Sequence, residues 1–291
     1  HKRIIRMYAL TGANGHLGRL VINHLLTQVP ANQIIATTRD PHKIADIASL
    51  GVIVRHADFS DPTTLAVAYT GATRLLIIST YVAGKSVELH KAAIAGARAA
   101  GVQHLLYTST PHADPGSTNP LLADHGQTEV ALAASGIPWT ALRNDFYAEA
   151  LRNFLDLLLV KRQLLIPEGS AKHGWISRED CARAAAGALL GNLTSTGPVD
   201  VTGSEALSFA DLASRLASLS DHQISVLTLP DQEIIARITA KGVPAEVAIA
   251  TVRLISWVAH EASSTPTNIV ERAWGTKPTS IDTMLRTLIT S

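Results

Sequence analysis

The segment Gly12-Ala13-Asn14-Gly15-His16-Leu17-Gly18 spaces three glycines as GxxGxxG. Glycines so spaced permit a tight turn and let backbone amides approach a pyrophosphate, whose charge the start of a following helix favours. Gly18, the last of them, allows that helix to pack closely on a strand. The motif carries this meaning only between a strand and a helix. A second pointer is Arg39, 21 residues beyond Gly18. An acidic side chain at the end of a second strand would hold the ribose 2′-hydroxyl of NAD, whereas a planar guanidinium pairs with the 2′-phosphate of NADP. Lys43 adds a second positive charge. NADP(H) is the favoured cofactor, but a register shift of one residue would put Asp40 at the discriminating position and admit NAD(H). Asp58-Phe59 stands where a third strand ends and a side chain often meets adenine, although a turn or helix cap before Asp61-Pro62 reads equally well.

These residues need a frame of strands and helices, and the apolar pattern supplies one. Met7–Thr11 reads as a buried strand ahead of the glycines. The helix behind them carries Leu17, Leu20, Val21, Leu25 and Val29 until Pro30 stops it. Strands are expected over 34–38, 52–55, 75–79, 104–108 and 139–142. Helical stretches alternate with them, opening at Arg39-Asp40-Pro41 and running over 86–100 and 128–134. That rhythm means βαβ units and a parallel sheet with right-handed crossovers. Beyond residue 150 the pattern becomes mostly helical, with helices over 151–160, 178–190, 209–217, 232–240 and 246–260. Extended pieces fall at 164–166 and 198–202. The expected architecture is α/β: a Rossmann-type doubly wound parallel sheet over residues 7–150, joined by 187–202. A smaller, mostly helical substrate domain follows over 151–291. No Gly/Ser linker separates the halves, so they are expected to pack as one unit.

Composition narrows the function. Apolar residues make up 46% and charged residues 17%, a globular balance. Twenty-five basic against 24 acidic side chains leave a net charge of +1, so no strong field recruits nucleic acid or an anionic membrane. One cysteine, Cys181, excludes a disulfide framework and suits a reducing, cytoplasmic setting. No apolar run approaches a membrane span. Twelve histidines are scattered without HxxxH or HExxH spacing, which argues against a metal site. The native start is expected near Met7, with the preceding residues not native.

Several longer strings together resemble one family. TGANGHLG, ATTRDPHK, LLIIST, LLYTST and ALRNDFY, with WISRED and TKPTSIDTML further on, resemble the NmrA-like atypical short-chain dehydrogenases. The resemblance runs from about Tyr8 to the C-terminal tail. It implies NADPH binding, a smaller substrate domain and hydride delivery to a small-molecule electron acceptor of quinone or dye type. It also implies roles. Gly12, Asn14, Gly15, His16 and Leu17 would hold the pyrophosphate, and Arg39 the 2′-phosphate. Ser79 and Thr80 would lie along the dinucleotide, with Tyr81 near the nicotinamide. Asn144 and Tyr147 would border nicotinamide and substrate. A monomer or homodimer is expected.

Most short-chain dehydrogenases carry YxxxK after the fifth strand, where the Tyr exchanges a proton with the carbonyl oxygen and the Lys holds the ribose. One helical turn puts both on one face. Here the matching positions are His125 and Glu129, a replacement the resemblance leads one to expect. Tyr81-Val82-Ala83-Gly84-Lys85 matches YxxxK literally, but it follows the fourth strand directly and contains Gly84. Tyr81 and Lys85 remain candidate cleft residues because loops at strand C-termini line ligand crevices. His125 is read either as an acid or orienting donor beside the nicotinamide, or as a histidine satisfied by Glu129 or backbone. A hydroquinone anion can take its proton from water, so the missing Tyr and Lys point to easily reduced acceptors. Ser109 and His112 lack a GxSxG elbow, which argues against a hydrolase. Trp139, Trp175 and Trp257 read first as packing, with the last two also considered for an aromatic acceptor site. The competing function is an NAD(P)-sensing regulator without turnover.

Overall fold

The computed structural model describes residues 6–220 and 224–290. The reading of the residues before Met7 as non-native falls, Arg6 apart, outside the described residues. The chain forms two compact units. The first comprises the described residues through Asn144 together with Arg178–Val201 and Ile269–Thr276. The second comprises Asp145–Ser177, Thr202–Asn268 and the described residues from Lys277.

The first unit is built on seven parallel strands: β1 (Tyr8–Leu10), β2 (Ile34–Thr38), β3 (Ile53–His56), β4 (Arg74–Ile77), β5 (His104–Ser109), β6 (Trp139–Asn144) and β9 (Gly197–Val201). Their order is β3-β2-β1-β4-β5-β6-β9. Chain direction through the sheet therefore reverses at β1/β4, and the crevice at the strand C-termini there is where such sheets take ligands. β1 and β2 are buried along their whole length, as interior parallel strands with helices on both faces must be. Around the sheet lie α1 (His16–Leu26), α4 (Ser86–Ala99), α5 (Pro120–Ala134), α7 (Arg178–Leu190) and the shorter α2 (Ala45–Ser49), α3 (Leu65–Tyr69) and α11 (Ile269–Trp274). α1 buries Leu17, Gly18, Val21, Ile22 and Leu25, the stripe its periodicity predicts. The helix expected to open at Arg39-Asp40-Pro41 begins as a 3₁₀ turn, Pro41–Ile44, capped by Asp40. α5 starts well before residue 128, with Asn119 capping its N-terminus and Pro120 at its first position.

The second unit holds α6 (Ala150–Leu158), α8 (Phe209–Leu219), α9 (Asp231–Ala240), α10 (Ala245–His260) and α12 (Ile281–Thr290). It also holds a three-stranded sheet of β7 (Leu159–Val160), β8 (Gln163–Pro167) and β10 (Ser225–Leu229), in the order β10-β8-β7. The apolar pattern alone marks no strand at β10 and carries α6 on through Val160. Instead Lys161 and Arg162, both at positive φ, turn the chain back into β8 as a two-residue hairpin. Among the described residues no helix is long and apolar enough to cross a membrane, and no cluster of His, Cys, Asp or Glu could hold a metal.

Candidate functional site

The glycine turn joins β1 to α1. Gly12 has φ +63°, and a Cβ on Gly18 would sit 2.3 Å from the Gly12 carbonyl oxygen, so both positions require glycine. Gly15 is the α1 N-cap, its amide donating to the Gly12 carbonyl, and no side chain caps the helix. No acidic residue stands in the first turn. The first amides of α1 and the positive end of its dipole are thus left for an anion, the arrangement a pyrophosphate requires. Asn14 lies within this turn, and His16 and Leu17 open the helix.

Arg39 directly follows β2 and is exposed. Asp40 is already employed: its carboxylate accepts from the His42 amide at 3.1 Å and lies 3.9 Å from Lys43 Nζ. That leaves the cation, not the carboxylate, free at the strand end. One residue here escaped the sequence reading. Arg19, next to Gly18, donates to Asn14 Oδ1 at 3.1 Å and to the Lys43 carbonyl at 2.8 Å, and pairs with Asp46. It ties the glycine turn to the segment after β2. Asp58 accepts from the amide and hydroxyl of Ser60, and those bonds, with the Arg39 charge nearby, hold its carboxyl below the usual range. Phe59 packs on the first unit's core.

After β4 the chain runs along the same sheet edge. The Ser79 amide and hydroxyl meet the Thr108 hydroxyl at 2.8 and 3.0 Å, and the Thr80 amide donates to His90 Nε2 at 3.0 Å. Tyr81 is 65% exposed. Lys85 caps α4 and Gly84 has φ +70°, so Tyr81 and Lys85 do not share a helical turn and cannot form the usual dyad.

α5 meets β5 through two side chains one turn apart. His125 Nδ1 lies 2.8 Å from the Tyr107 hydroxyl. Glu129 accepts from Ser109 Oγ at 2.7 Å and from Arg143 Nε and Nη2 at 2.9 and 2.6 Å. Four residues of helix advance about 6 Å and two of strand about 6.6 Å, so the pairs 125/129 and 107/109 come into step. The partner of His125 is therefore Tyr107, not Glu129 or backbone. Glu129 is spent in a bidentate, nearly buried ion pair and is no free base. Burial lowers the His125 pKa to about 4, against the pull of Glu129 and Asp124, so the ring is uncharged at neutral pH. Such a ring serves as a hydrogen-bond donor rather than as an imidazolium acid. Asn144 ends β6, buried beside β9. The Ser109 hydroxyl is committed to Glu129, which removes it as a nucleophile.

Tyr147 belongs to the second unit, half-buried and bridged to Ile176. In that unit Trp175 is 3% exposed, donates to the Leu207 carbonyl and packs with Phe146 and Phe209, while Trp257 meets Phe146 edge-on. Trp175 is thus a packing residue, Trp257 lies half-buried against the same core, and Trp139 lies on the first unit's core.

Comparison with known proteins gives the chain's family and fold. A family described as NAD(P)H-binding matches residues 12–191. Quinone oxidoreductase 2 of Escherichia coli is 37% identical over 241 residues, 82% of this chain and 83% of that protein. The crystal structure of the E. coli NADPH-dependent quinone oxidoreductase in complex with NADPH superposes with a TM-score of 0.85 at 31% identity, covering 97% of this chain and 99% of that one. The Citrobacter sp. triphenylmethane reductase complexed with NADP(H) gives 0.84 at 29% identity, covering 96% and 99%. An NmrA-like family domain-containing oxidoreductase of Aspergillus flavus is 28% identical over 78% of this chain and 76% of its own length.

Proposed function

The chain belongs to the NAD(P)H-binding family, and on that premise we propose that it is an NADPH-dependent oxidoreductase acting on quinones or similar conjugated acceptors. The observation that carries the reading is the uncapped glycine turn with a free Arg39 beside it, on a sheet whose α5 lacks the Tyr-Lys pair. The bound dinucleotide supplies the hydride, so that NADPH, a quinone and one proton give NADP⁺ and the hydroquinone.

The chain's own residues bind, orient and polarise. Gly12, Asn14, Gly15, His16 and Leu17 cradle the pyrophosphate through backbone amides, and Arg39 with Lys43 takes the 2′-phosphate. Asp58 and Phe59 serve the adenine end, and Ser79 and Thr80 the run towards the nicotinamide. Tyr81 and Asn144 border the reacting groups in the first unit, and the second unit, to which Tyr147 belongs, is the substrate domain. His125 donates a hydrogen bond to the acceptor oxygen as negative charge builds there, and water delivers the proton. No stronger acid is needed, because a hydroquinone anion is a stable leaving state compared with a simple alkoxide. A cytoplasmic setting belongs to the same proposal.

The test is steady-state oxidation of NADPH and, separately, NADH with a panel of benzoquinones and naphthoquinones, followed by loss of reduced-cofactor absorbance. Acceptor-dependent loss with NADPH preferred is the expected outcome. Cofactor that binds by fluorescence yet is never oxidised would replace this reading with that of a redox sensor.

A further inference from the structure

We propose that Tyr107 and His90 are positioning residues: a hydrogen-bond chain that starts at the Thr80 amide fixes His125 as its Nε2–H tautomer. The use made of that donor rests on the reductase reading above, but the tautomer does not.

One end of the chain is fixed by a group that can only donate. The Thr80 amide gives its hydrogen to His90 Nε2 at 3.0 Å, so the His90 proton sits on Nδ1. That Nδ1–H faces Thr128 Oγ1 at 3.0 Å and the Tyr107 oxygen at 3.4 Å. The Thr128 hydroxyl spends its own hydrogen on the Asp124 carbonyl at 2.8 Å, which leaves its oxygen to accept from His90. Tyr107 is completely buried, and its closest partner is His125 Nδ1 at 2.8 Å. If His125 donated there, the Tyr107 oxygen would face two N–H donors. Its own hydrogen would be left with the second lone pair of the Thr128 oxygen, whose first takes the His90 proton and which makes no hydrogen bond with Tyr107 as short as the 2.8 Å contact to His125. The assignment that gives the Tyr107 hydrogen its shortest acceptor runs one way: Tyr107 donates to His125 Nδ1 at 2.8 Å, and the His125 proton resides on Nε2.

Burial keeps both rings neutral at physiological pH, with His90 and His125 each lowered to about 4. The rings of His90 and His125 lie 5.3 and 5.7 Å from the Tyr107 ring, so neither can turn over without disturbing it. His125 is half-buried, its Nδ1 is taken, and Nε2 makes no hydrogen bond among the described residues. The consequence is one of sign. With the proton on Nε2 the ring offers a donor to a carbonyl oxygen; with the proton on Nδ1 it would offer a lone pair and repel that oxygen. The anchor of the chain is also informative. Thr80 stands on the segment read as lining the dinucleotide, so the same strand end that guides the cofactor sets the polarity of the donor.

The measurement is ¹⁵N NMR of the full chain with labelled histidine at pH 7, the His125 signals assigned by their loss in His125→Gln. An Nε2–H tautomer for His125 is expected, and an Nδ1–H tautomer in the wild-type protein overturns the proposal without any variant being made. Tyr107→Phe keeps the ring and removes the hydroxyl. It should move His125 towards a tautomer mixture and lower kcat with a quinone about tenfold, the worth of one hydrogen bond, with NADPH affinity unchanged. An unaltered His125 signal in Tyr107→Phe overturns the role of Tyr107. His125→Gln, whose amide nitrogen overlays Nε2, should keep more activity than His125→Asn, whose amide overlays Nδ1; the reverse order overturns the assignment. A wild-type protein that never oxidises NADPH but shows the Nε2–H tautomer, altered by Tyr107→Phe, sinks the reductase reading and leaves the chain of bonds standing.

Discussion

The glycine turn and the β5–α5 face lie in the same unit and are built by opposite means. The turn works through backbone: amides at the start of α1, a left-handed Gly12 and an absent side chain at Gly18. The β5–α5 face works through side chains, with Tyr107, His125, Ser109, Glu129 and Arg143 each answering another. A backbone site is intolerant of added atoms and indifferent to most side-chain chemistry. A buried side-chain network is intolerant of removed atoms and depends on every proton. Substitutions at the two places should therefore fail in different ways, and the failures can be told apart.

The largest effect is expected at Gly18. A Cβ there would lie 2.3 Å from the Gly12 carbonyl oxygen and 3.0 Å from Ala13 Cα, and both are backbone atoms that cannot swing aside. Gly18→Ala should weaken NADPH binding by on the order of 100-fold and lower stability by about 1–3 kcal/mol, read by fluorescence titration and thermal melting. His16→Ala, which leaves the amide in place, should change affinity by less than about threefold. Equal losses at His16 and Gly18 would break the claim that backbone alone makes this half of the site.

Next comes Glu129, where the expected damage is to stability and not to cofactor binding. Its carboxylate is 9% exposed and answers Arg143 at two points, so Glu129→Gln leaves a guanidinium that is 21% exposed with only the Ala113 carbonyl, at a cost of about 3 kcal/mol, the low end for a broken buried pair. At about 2–4 °C per kcal/mol that is a fall in Tm of roughly 10 °C. NADPH affinity of the folded fraction should be unchanged, since Glu129 touches neither the glycine turn nor the end of β2. Replacing both partners, as in Glu129→Leu with Arg143→Met, should recover much of the loss. A double variant no more stable than the single would mean that Ser109, not Arg143, is the partner that matters.

The same contrast explains what could be read from the amino-acid string. The glycine turn, Arg39 and the strand rhythm are local patterns, and β2 and α7 fall where periodicity put them. The β5–α5 network is not local. The four-residue spacing of His125 and Glu129 says that they share a helix face, but not which strand they meet. Tyr107 and Arg143 stand inside apolar strands of a sheet buried on both sides, where a polar residue reads as an exception without an address. His90 lies 35 residues before His125, on a helix whose Ala-rich sequence signals only packing. In the second unit β10 was missed for another reason: Ser-Val-Leu-Thr-Leu is too short and too mixed to choose between helix and strand until β8 pairs with it. Arg19 did have a local signal, a cation directly after the last glycine of the turn.

The smallest effect is expected at the end of β2, where an exposed side chain meets an exposed phosphate. Arg39→Ala should reduce affinity for NADPH by roughly 10- to 100-fold and leave NADH unaffected, since a charge-assisted hydrogen bond contributes about 1.5–3 kcal/mol. Lys43, 66% exposed and 3.9 Å from Asp40, should contribute no more than about fivefold when replaced by alanine, the yield of a solvated ion pair. Asp40→Asn should leave the NADPH to NADH ratio where it was, because the carboxylate caps the 3₁₀ turn rather than facing a ribose. Titration of each variant with both cofactors decides the matter. A shift towards NADPH in Asp40→Asn would make Asp40 the discriminating residue and move the register by one. An unaltered ratio in Arg39→Ala would send the 2′-phosphate to another cation, and Arg19 is poorly placed for it, held already by Asn14, Asp46 and the Lys43 carbonyl.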